Sequence, residues 1–296
     1  MSRRFVLLLP AAAIALVLIA SQQSAQAVRQ ALQLCAGSVI PSLFPFLVLS
    51  SLLMDCSTPT GGPLTALLGR CMGCSSVGAR VFLLSLLGGY PVGPRLMGQL
   101  LRSGSLTHRE AEHLLLFCNN AGPAFVLGFV GLGLLGSLRA GVWLYLLHIA
   151  SALLIALLFR PRQPFSDVAS RQLSPPPFSQ ALVTAITAAG TAMLQVCAFI
   201  TFFYTALQLL AHLTGIDHPL LLGFVELTCG LTQLSNSHAG FVMAAGLLGW
   251  GGLSVHAQTA AALSGTGVSL RNHLRGKLLQ GIFSAILGFF AWFWVG

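Results

Sequence analysis

Glycines and prolines interrupt the apolar sequence next to an arginine that could bind an anion. In "GGYPVGPRL" (88–96), Gly89, Tyr90 and Gly93 precede Arg95. Glycine permits a sharp turn between two half-helices, and a guanidinium can hold a carboxylate through two parallel hydrogen bonds. We therefore predict a helical hairpin with Arg95 in the first turn of its returning arm. Arg95 could bind an anionic ligand, reach the cytoplasmic surface, or pair with Glu226, and the sequence leaves these roles open.

Glu226 is the acidic residue placed deepest inside an apolar segment. An intramembrane carboxylate costs free energy and indicates a functional site by default. Glu226 could carry a coupling proton, hold a cation or neutralise Arg95. The structural alternative is a buried carboxylate that only accepts hydrogen bonds.

Four stretches break the helical pattern, at 88–94, 118–123, 226–237 and 251–258. Unwound backbone at membrane depth is tolerated only when it is buried in protein or lines a wet cavity. Interrupted segments in corresponding positions of two halves indicate the binding site of a transporter. The predicted substrate-binding residues are Gly89, Tyr90, Gly93, Arg95, Asn119, Asn120, Glu226, Thr228, Ser235, Asn236, Ser254 and Gln258.

The composition is that of an integral membrane protein built from helices. Of the 296 residues, 55% are hydrophobic and 7% are charged, whereas soluble domains carry about 25% charged residues. The net charge of +9 does not indicate nucleic-acid binding, because the cations are scattered between apolar segments. They are better explained as topology signals. Seven dispersed cysteines form no disulfide framework, and the single CxxC at Cys71 and Cys74 lacks the second pair of a zinc site.

The predicted chain order is two similar halves joined by a linker. Residues 1–27 form a transmembrane helix or a cleavable signal-like segment. The second alternative arises because the apolar stretch is short for a span and ends in small residues. The first repeat covers 28–159, a proline-rich cytoplasmic linker 160–178, and the second repeat 179–296. Within them we expect a mixed segment at the outer face (24–38), a return span (39–54), a Gly/Pro loop (57–63), two hairpins (81–101 and 218–237), and spans at 140–159, 180–212 and 278–295.

The two halves share their spacing. Tyr90 and Cys118 are 28 positions apart, as are Glu226 and Ser254. In this layout the halves begin on opposite sides of the membrane, so the repeat is inverted. Twelve of the fifteen cations, Lys277 included, fall on the cytoplasmic side, as the positive-inside rule requires. The predicted fold class is an all-α polytopic membrane protein, an inverted repeat with two re-entrant hairpins and two discontinuous helices.

Enzymatic functions are not supported by the motifs. "HREAEH" (108–113) places its histidines five positions apart, which fits neither HExxH nor HxxEH. It is better explained as a helix start in which Thr107 and Glu110 form a capping box. We expect no enzyme, no catalytic residue, no cofactor and no metal site. His148 and His212 are expected to be structural residues of the helix bundle.

Five stretches resemble the YlbJ-type sporulation integral membrane proteins, which contain nucleoside-recognition (Gate) domains. They are "PSLFPFLVLSSLL", "GGYPVGPRL", "EAEHLLLFCNNAGPAFVLGFVG", "ELTCG" and "GLSVHAQ". The resemblance implies a fold related to concentrative nucleoside transporters. It also implies transport of dipicolinic acid from mother cell to forespore across the outer forespore membrane, with Arg95 at a position that is usually basic.

Several functions remain open at this stage. The leading hypothesis is transport of a small anionic metabolite, with a proton or cation as coupling partner. A nucleoside or nucleobase permease and a non-transporting scaffold or gate subunit are the alternatives. The expected location is the cell membrane, or the outer forespore membrane in an organism that sporulates. The expected partners are the substrate and the lipid bilayer, not nucleic acid, with homo-oligomerisation open.

Overall fold

The computed structural model describes residues 3–56, 62–168 and 176–295, and all regular elements within them are helical. Five helices there are long and apolar enough to cross a membrane, or six if a pair bent by 93° forms one span. The prediction of an all-α polytopic membrane protein is therefore confirmed. Most of the predicted loop 57–63 and part of the predicted linker 160–178 lie outside the described residues.

The helices follow one another with few long connections in the described ranges. In chain order they are α1 (Arg3–Ile19), α2 (Ser21–Leu34), α3 (Ile40–Cys56), α4 (Pro63–Met72), α5 (Ser76–Gly88), α6 (Val92–Arg102), α7 (His108–Leu114), α8 (Leu138–Leu158), α9 (Phe178–Thr214), α10 (Pro219–Val225), α11 (Leu227–Leu231), α12 (His238–Trp250), α13 (Gly252–Ala262) and α14 (Arg271–Ala291). π-Helical segments occupy Cys35–Val39 and Ala124–Leu134, and a 3₁₀ turn covers Trp292–Trp294.

Serine and threonine side chains set the starts of several helices. The Ser75 hydroxyl accepts a hydrogen bond from Gly78 N at the start of α5, and Ser237 accepts one from Gly240 N at the start of α12. Thr107 caps α7 through Glu110 N, as predicted. The Glu110 carboxylate does not complete the capping box, because it accepts instead from Ser75 N at 2.7 Å. It thereby ties α7 to the start of α5.

Two predicted boundaries are wrong. The mixed segment 24–38 is helical and joins α2, the π-helical turn and α3 into one apolar run over Ser21–Leu53. Its small residues Ala27 and Ala31 are buried, and α2 packs on α9. The last span begins at Arg271 rather than at 278. The seven added residues form about two helical turns, and Lys277 among them is buried in the protein interior.

Helices α12 and α14 pack closely because glycines face one another. A Cβ on Gly249 would lie 2.6 Å from the Gln280 carbonyl oxygen, and one on Gly281 would lie 3.1 Å from the Gly246 carbonyl oxygen. Small residues at such contacts are typical of membrane helices, where dispersion rather than water exclusion drives association. Large apolar side chains cover the outside, among them Leu18, Leu194, Phe202 and Phe290.

Candidate functional site

The first hairpin, formed by α5 and α6, contacts the first broken helix through glycines. This broken helix consists of α7 and the π-helical segment Ala124–Leu134, with the break between them. Helix α5 ends at Gly88, Gly89 turns with a φ of 76°, and α6 begins at Val92. A Cβ on Gly89 would lie 2.9 Å from Gly122 N. The predicted break at 88–94 is narrower, at 89–91, because 88 and 92–94 are helical, and the break predicted at 118–123 lies at 115–122.

The second hairpin, formed by α10 and α11, also contacts a broken helix through glycine. This second broken helix consists of α12 and α13. Glu226 is extended between α10 and α11, and the two arms meet where Gly230 packs on Gly223. Gly252 has a φ of 82°, and a Cβ added to it would lie only 3.0 Å from Leu227 N. The break in the second helix is narrower than predicted: it is confined to Gly251 and Gly252, and the remainder of 251–258 is helical.

A central cavity of about 40 Å³ lies where these breaks meet. Its polar lining comes from Tyr90 of the first hairpin, Glu226 and Thr228 of the second, and Gln258 of α13. The apolar lining residues are Val39, Leu43, Gly122, Phe125, Val196, Ile200, Leu227 and Val255. Segments distant in sequence thus converge on one small, mostly apolar space with a few fixed polar groups, which is typical of a ligand site.

Glu226 combines a structural role with its place in the cavity. Its side chain is 2% exposed. The carboxylate accepts from Cys229 N at 2.7 Å and from the Thr228 hydroxyl at 3.1 Å, and it thereby caps α11. The predicted alternative of an ion pair with Arg95 is wrong in this conformation, because Arg95 Nη2 donates to the Ala188 carbonyl at 3.0 Å.

Arg95 lies beside the cavity rather than in it. Its half-buried side chain lines a small pocket together with Val196 and Gln258, and both of these residues also line the central cavity. The pocket that holds the guanidinium is therefore adjacent to the cavity.

A buried polar network lies behind Tyr90. We call it the Lys277 network, and its members are Lys277, Gln280, Asn119, Asn120 and His148. The Lys277 ammonium donates to the Asn119 carbonyl at 2.9 Å and to Gln280 Oε1 at 2.7 Å, and it lies 5.2 Å from the centre of the Tyr90 ring. Gln280 Nε2 in turn donates to Asn120 Oδ1 at 3.0 Å and to the His148 carbonyl at 3.2 Å. Lys277 is 0% exposed, so it is an interior residue and not an exposed topology signal.

Sequence reasoning missed Lys277 and Gln280, although a signal was present. His273, Lys277, Gln280 and Ser284 are spaced by three and four residues, so they share one face of α14. All four are buried. A polar stripe at helical spacing at the start of an apolar span indicates a polar interior on that side.

The other predicted site residues fall into different environments. Asn119 and Asn120 are buried in the Lys277 network, and Ser254 is buried on α13, where its hydroxyl accepts from Gln258 Nε2 at 3.4 Å. Ser235 and Asn236 are exposed at the open end of the second hairpin. The structure thus brings the hairpin tips and α13 together but leaves 235–236 at the surface. Ligand contact by any of these residues stays a prediction.

Replacing Asn120 with alanine is expected to destabilise the protein by about 2–3 kcal/mol. Its amide donates to the Ser85 hydroxyl and to the Phe117 carbonyl, and its oxygen accepts from Gln280. The substitution leaves these buried partners unsatisfied. Thermal unfolding in detergent checks this, with the exposed Asn236→Ala as the matched control. Equal transition temperatures for the two variants would contradict the prediction.

The comparison with known proteins adds a relative that spans nearly the whole chain. Sporulation integral membrane protein YlbJ of Bacillus subtilis (strain 168) is 26% identical, and the match covers 92% of this chain and 78% of the relative. The resemblance to YlbJ-type membrane proteins is confirmed. No family model matches the chain, and no solved structure matches it significantly.

Proposed function

We propose that this protein transports a small anionic metabolite across a membrane during sporulation. The favoured cargo is dipicolinic acid, moving from mother cell to forespore across the outer forespore membrane. The single observation that carries the proposal is the central cavity, lined by both hairpins and both broken helices. The name of the similar protein from Bacillus subtilis supports the sporulation context. No enzymatic step is part of the proposal.

We further propose that the two halves form an inverted repeat of the Gate type, related to concentrative nucleoside transporters. In each half, a hairpin tip touches a break in a later helix through glycine backbone, at Gly89 and Gly122 and at Leu227 and Gly252. The sequence adds a separate correspondence, the equal spacing of 28 positions between Tyr90 and Cys118 and between Glu226 and Ser254. The contacting pairs themselves are 33 and 25 positions apart. Inverted repeats place the substrate site at mid-membrane, where the two halves meet.

Transport through this cavity requires a second conformation. The cavity holds about 40 Å³, whereas pockets for small organic ligands measure about 300–1,000 Å³. A pyridine ring with two carboxylates does not fit unless the lining helices separate. In an alternating-access cycle, one repeat moves against the other around a fixed site. The glycine contacts between hairpin tips and broken helices are surfaces along which such movement could occur.

Glu226 is proposed as the carrier of a coupling proton or cation. It lines the cavity, and its two hydrogen bonds come from its own hairpin. An ionised Glu226 would repel a carboxylate in the cavity, and this repulsion disappears when the oxygens bind a proton or a metal cation. Binding of cargo and of the coupling ion would therefore favour each other.

Uptake of labelled dipicolinate into proteoliposomes tests the proposed cargo. Arg95→Gln is expected to lower the rate by about three- to tenfold, because the guanidinium lines the pocket beside the cavity and could bind one carboxylate of the cargo. Arg102→Gln, on the exposed end of the same helix, is the matched control. Uptake of labelled uridine but not dipicolinate would favour the nucleoside permease. Uptake of neither, in a protein still required for sporulation, would favour a scaffold or gate subunit.

A further inference from the structure

Lys277 is a fully buried amine, and no ion pair to it is found within the described residues. Its ammonium makes two hydrogen bonds, to the Asn119 carbonyl and to the Gln280 amide oxygen. These contacts use both donors of a neutral amine, and protonation adds a third donor, which would meet no acceptor within the described ranges of the chain. Within those same ranges, no carboxylate forms an ion pair with it.

Burying a neutral side chain at this position would cost less free energy than burying a protonated lysine. Buried charges are normally paired or bound to a metal, and Lys277 lies in the protein interior at the second turn of α14, where an unpaired charge is unfavourable. Gln280 and the Asn119 carbonyl accept hydrogen bonds from Lys277 but would not balance the charge of its protonated form. A group that carries negative charge and is absent from the polypeptide around Lys277 would complete the site.

One aromatic ring separates Lys277 from the central cavity. The Lys277 ammonium lies 5.2 Å from the centre of the Tyr90 ring, and Tyr90 is also part of the cavity lining. Tyr90 follows Gly89, the turning residue of the first hairpin, and its hydroxyl donates to the Leu248 carbonyl of α12. A displacement of this hairpin tip would take the ring away and open the cavity to the ammonium.

We propose that Lys277 is the anion-binding group of the transport site, and that it receives a carboxylate of the cargo when the Tyr90 tip moves. This inference rests on the proposed function only in that the cargo enters the central cavity. Glu226 lines that cavity and repels a carboxylate when ionised, whereas Lys277 attracts one. The cargo anion would therefore bind toward α14, beside Lys277, and the coupling ion toward the second hairpin, beside Glu226.

The first test uses the wild-type protein, because Lys277 is its only lysine. A water-soluble amine-reactive ester is applied to the protein in proteoliposomes, and modification of Lys277 is followed by peptide mass spectrometry. Saturating dipicolinate is expected to slow the modification at least about fivefold, while its uncharged dimethyl ester leaves the rate unchanged. The terminal amino group serves as the internal control. An equal rate with and without dipicolinate, or a lysine never modified during transport, overturns the proposal.

The second test measures equilibrium binding of labelled dipicolinate, benzoate and uridine. Lys277→Met is expected to bind the two anions about tenfold more weakly than wild type and to bind uridine equally well. Arg275→Gln, an exposed cation on the same helix, is the matched control and should behave as wild type. Monodisperse elution confirms that each variant is folded, and the labelling experiment stands if Lys277→Met is not.

The outcomes separate the two proposals. Equal dipicolinate affinity for wild type and Lys277→Met overturns the role of Lys277 and leaves dipicolinate transport standing. Binding of benzoate but not dipicolinate by wild type, lost in Lys277→Met, rejects the cargo and supports Lys277 as the anion site. Binding of uridine alone by wild type overturns both.

Discussion

Replacing Glu226 with glutamine is expected to lower the transport rate by about 10- to 100-fold, the effect of losing one buried charged interaction. Glutamine keeps an oxygen that can accept from Cys229 N, so the cap of α11 is preserved. What it loses is the ability to hold a proton or cation next to the cargo. The variant therefore separates the capping role of Glu226 from its proposed coupling role.

Transport in proteoliposomes and thermal unfolding in detergent together measure this effect. Glu226→Gln should unfold close to the wild-type temperature, while Glu226→Ala should unfold earlier as well, because Cys229 N and the Thr228 hydroxyl then lose their acceptor. Glu112→Gln, a half-exposed acid on α7, is the control for removing one negative charge. Wild-type transport by Glu226→Gln would show that Glu226 is only a cap.

Gly93→Ala is expected to destabilise the protein by more than about 3 kcal/mol, because the added methyl group overlaps backbone that cannot move aside. A Cβ at Gly93 would overlap the Cys118 carbonyl oxygen, and it would also lie 3.0 Å from the Ser85 Cβ. Gly93 belongs to α6 and Cys118 opens the first broken segment. The two segments can approach this closely only if position 93 has no side chain.

Folded yield after detergent extraction and the unfolding temperature measure the loss. Gly128→Ala is the matched control, since a Cβ at Gly128 meets nothing within 4 Å. This control should behave as wild type or gain slightly, because alanine favours helix over glycine. Equal stability of Gly93→Ala and Gly128→Ala would mean that α6 and the 118–123 segment are not in contact in the membrane.

The sequence alone determined the class of the protein and the positions of most backbone breaks. The apolar runs, with so few charges, leave helices as the elements that satisfy backbone hydrogen bonds in lipid. The glycines and prolines at 88–94 and 118–123 indicate breaks because they disfavour a helix interior, and breaks overlapping both stretches are found at 89–91 and 115–122. Helix breaks of this kind can be predicted from the sequence because they depend on residues that are neighbours along the chain.

Only the tertiary structure decided which polar residues meet. Ser235 and Asn236 looked equivalent to Gln258 in sequence, yet the first two are exposed and Gln258 lines the cavity. Lys277 looked like a cytoplasmic topology signal, yet α14 begins at Arg271 and turns Lys277 toward Tyr90 and Asn119. The physical reason is that the rotation of a helix about its axis is set by packing, here the contact of α14 with the glycine face of α12. Composition and hydropathy contain no information about that rotation.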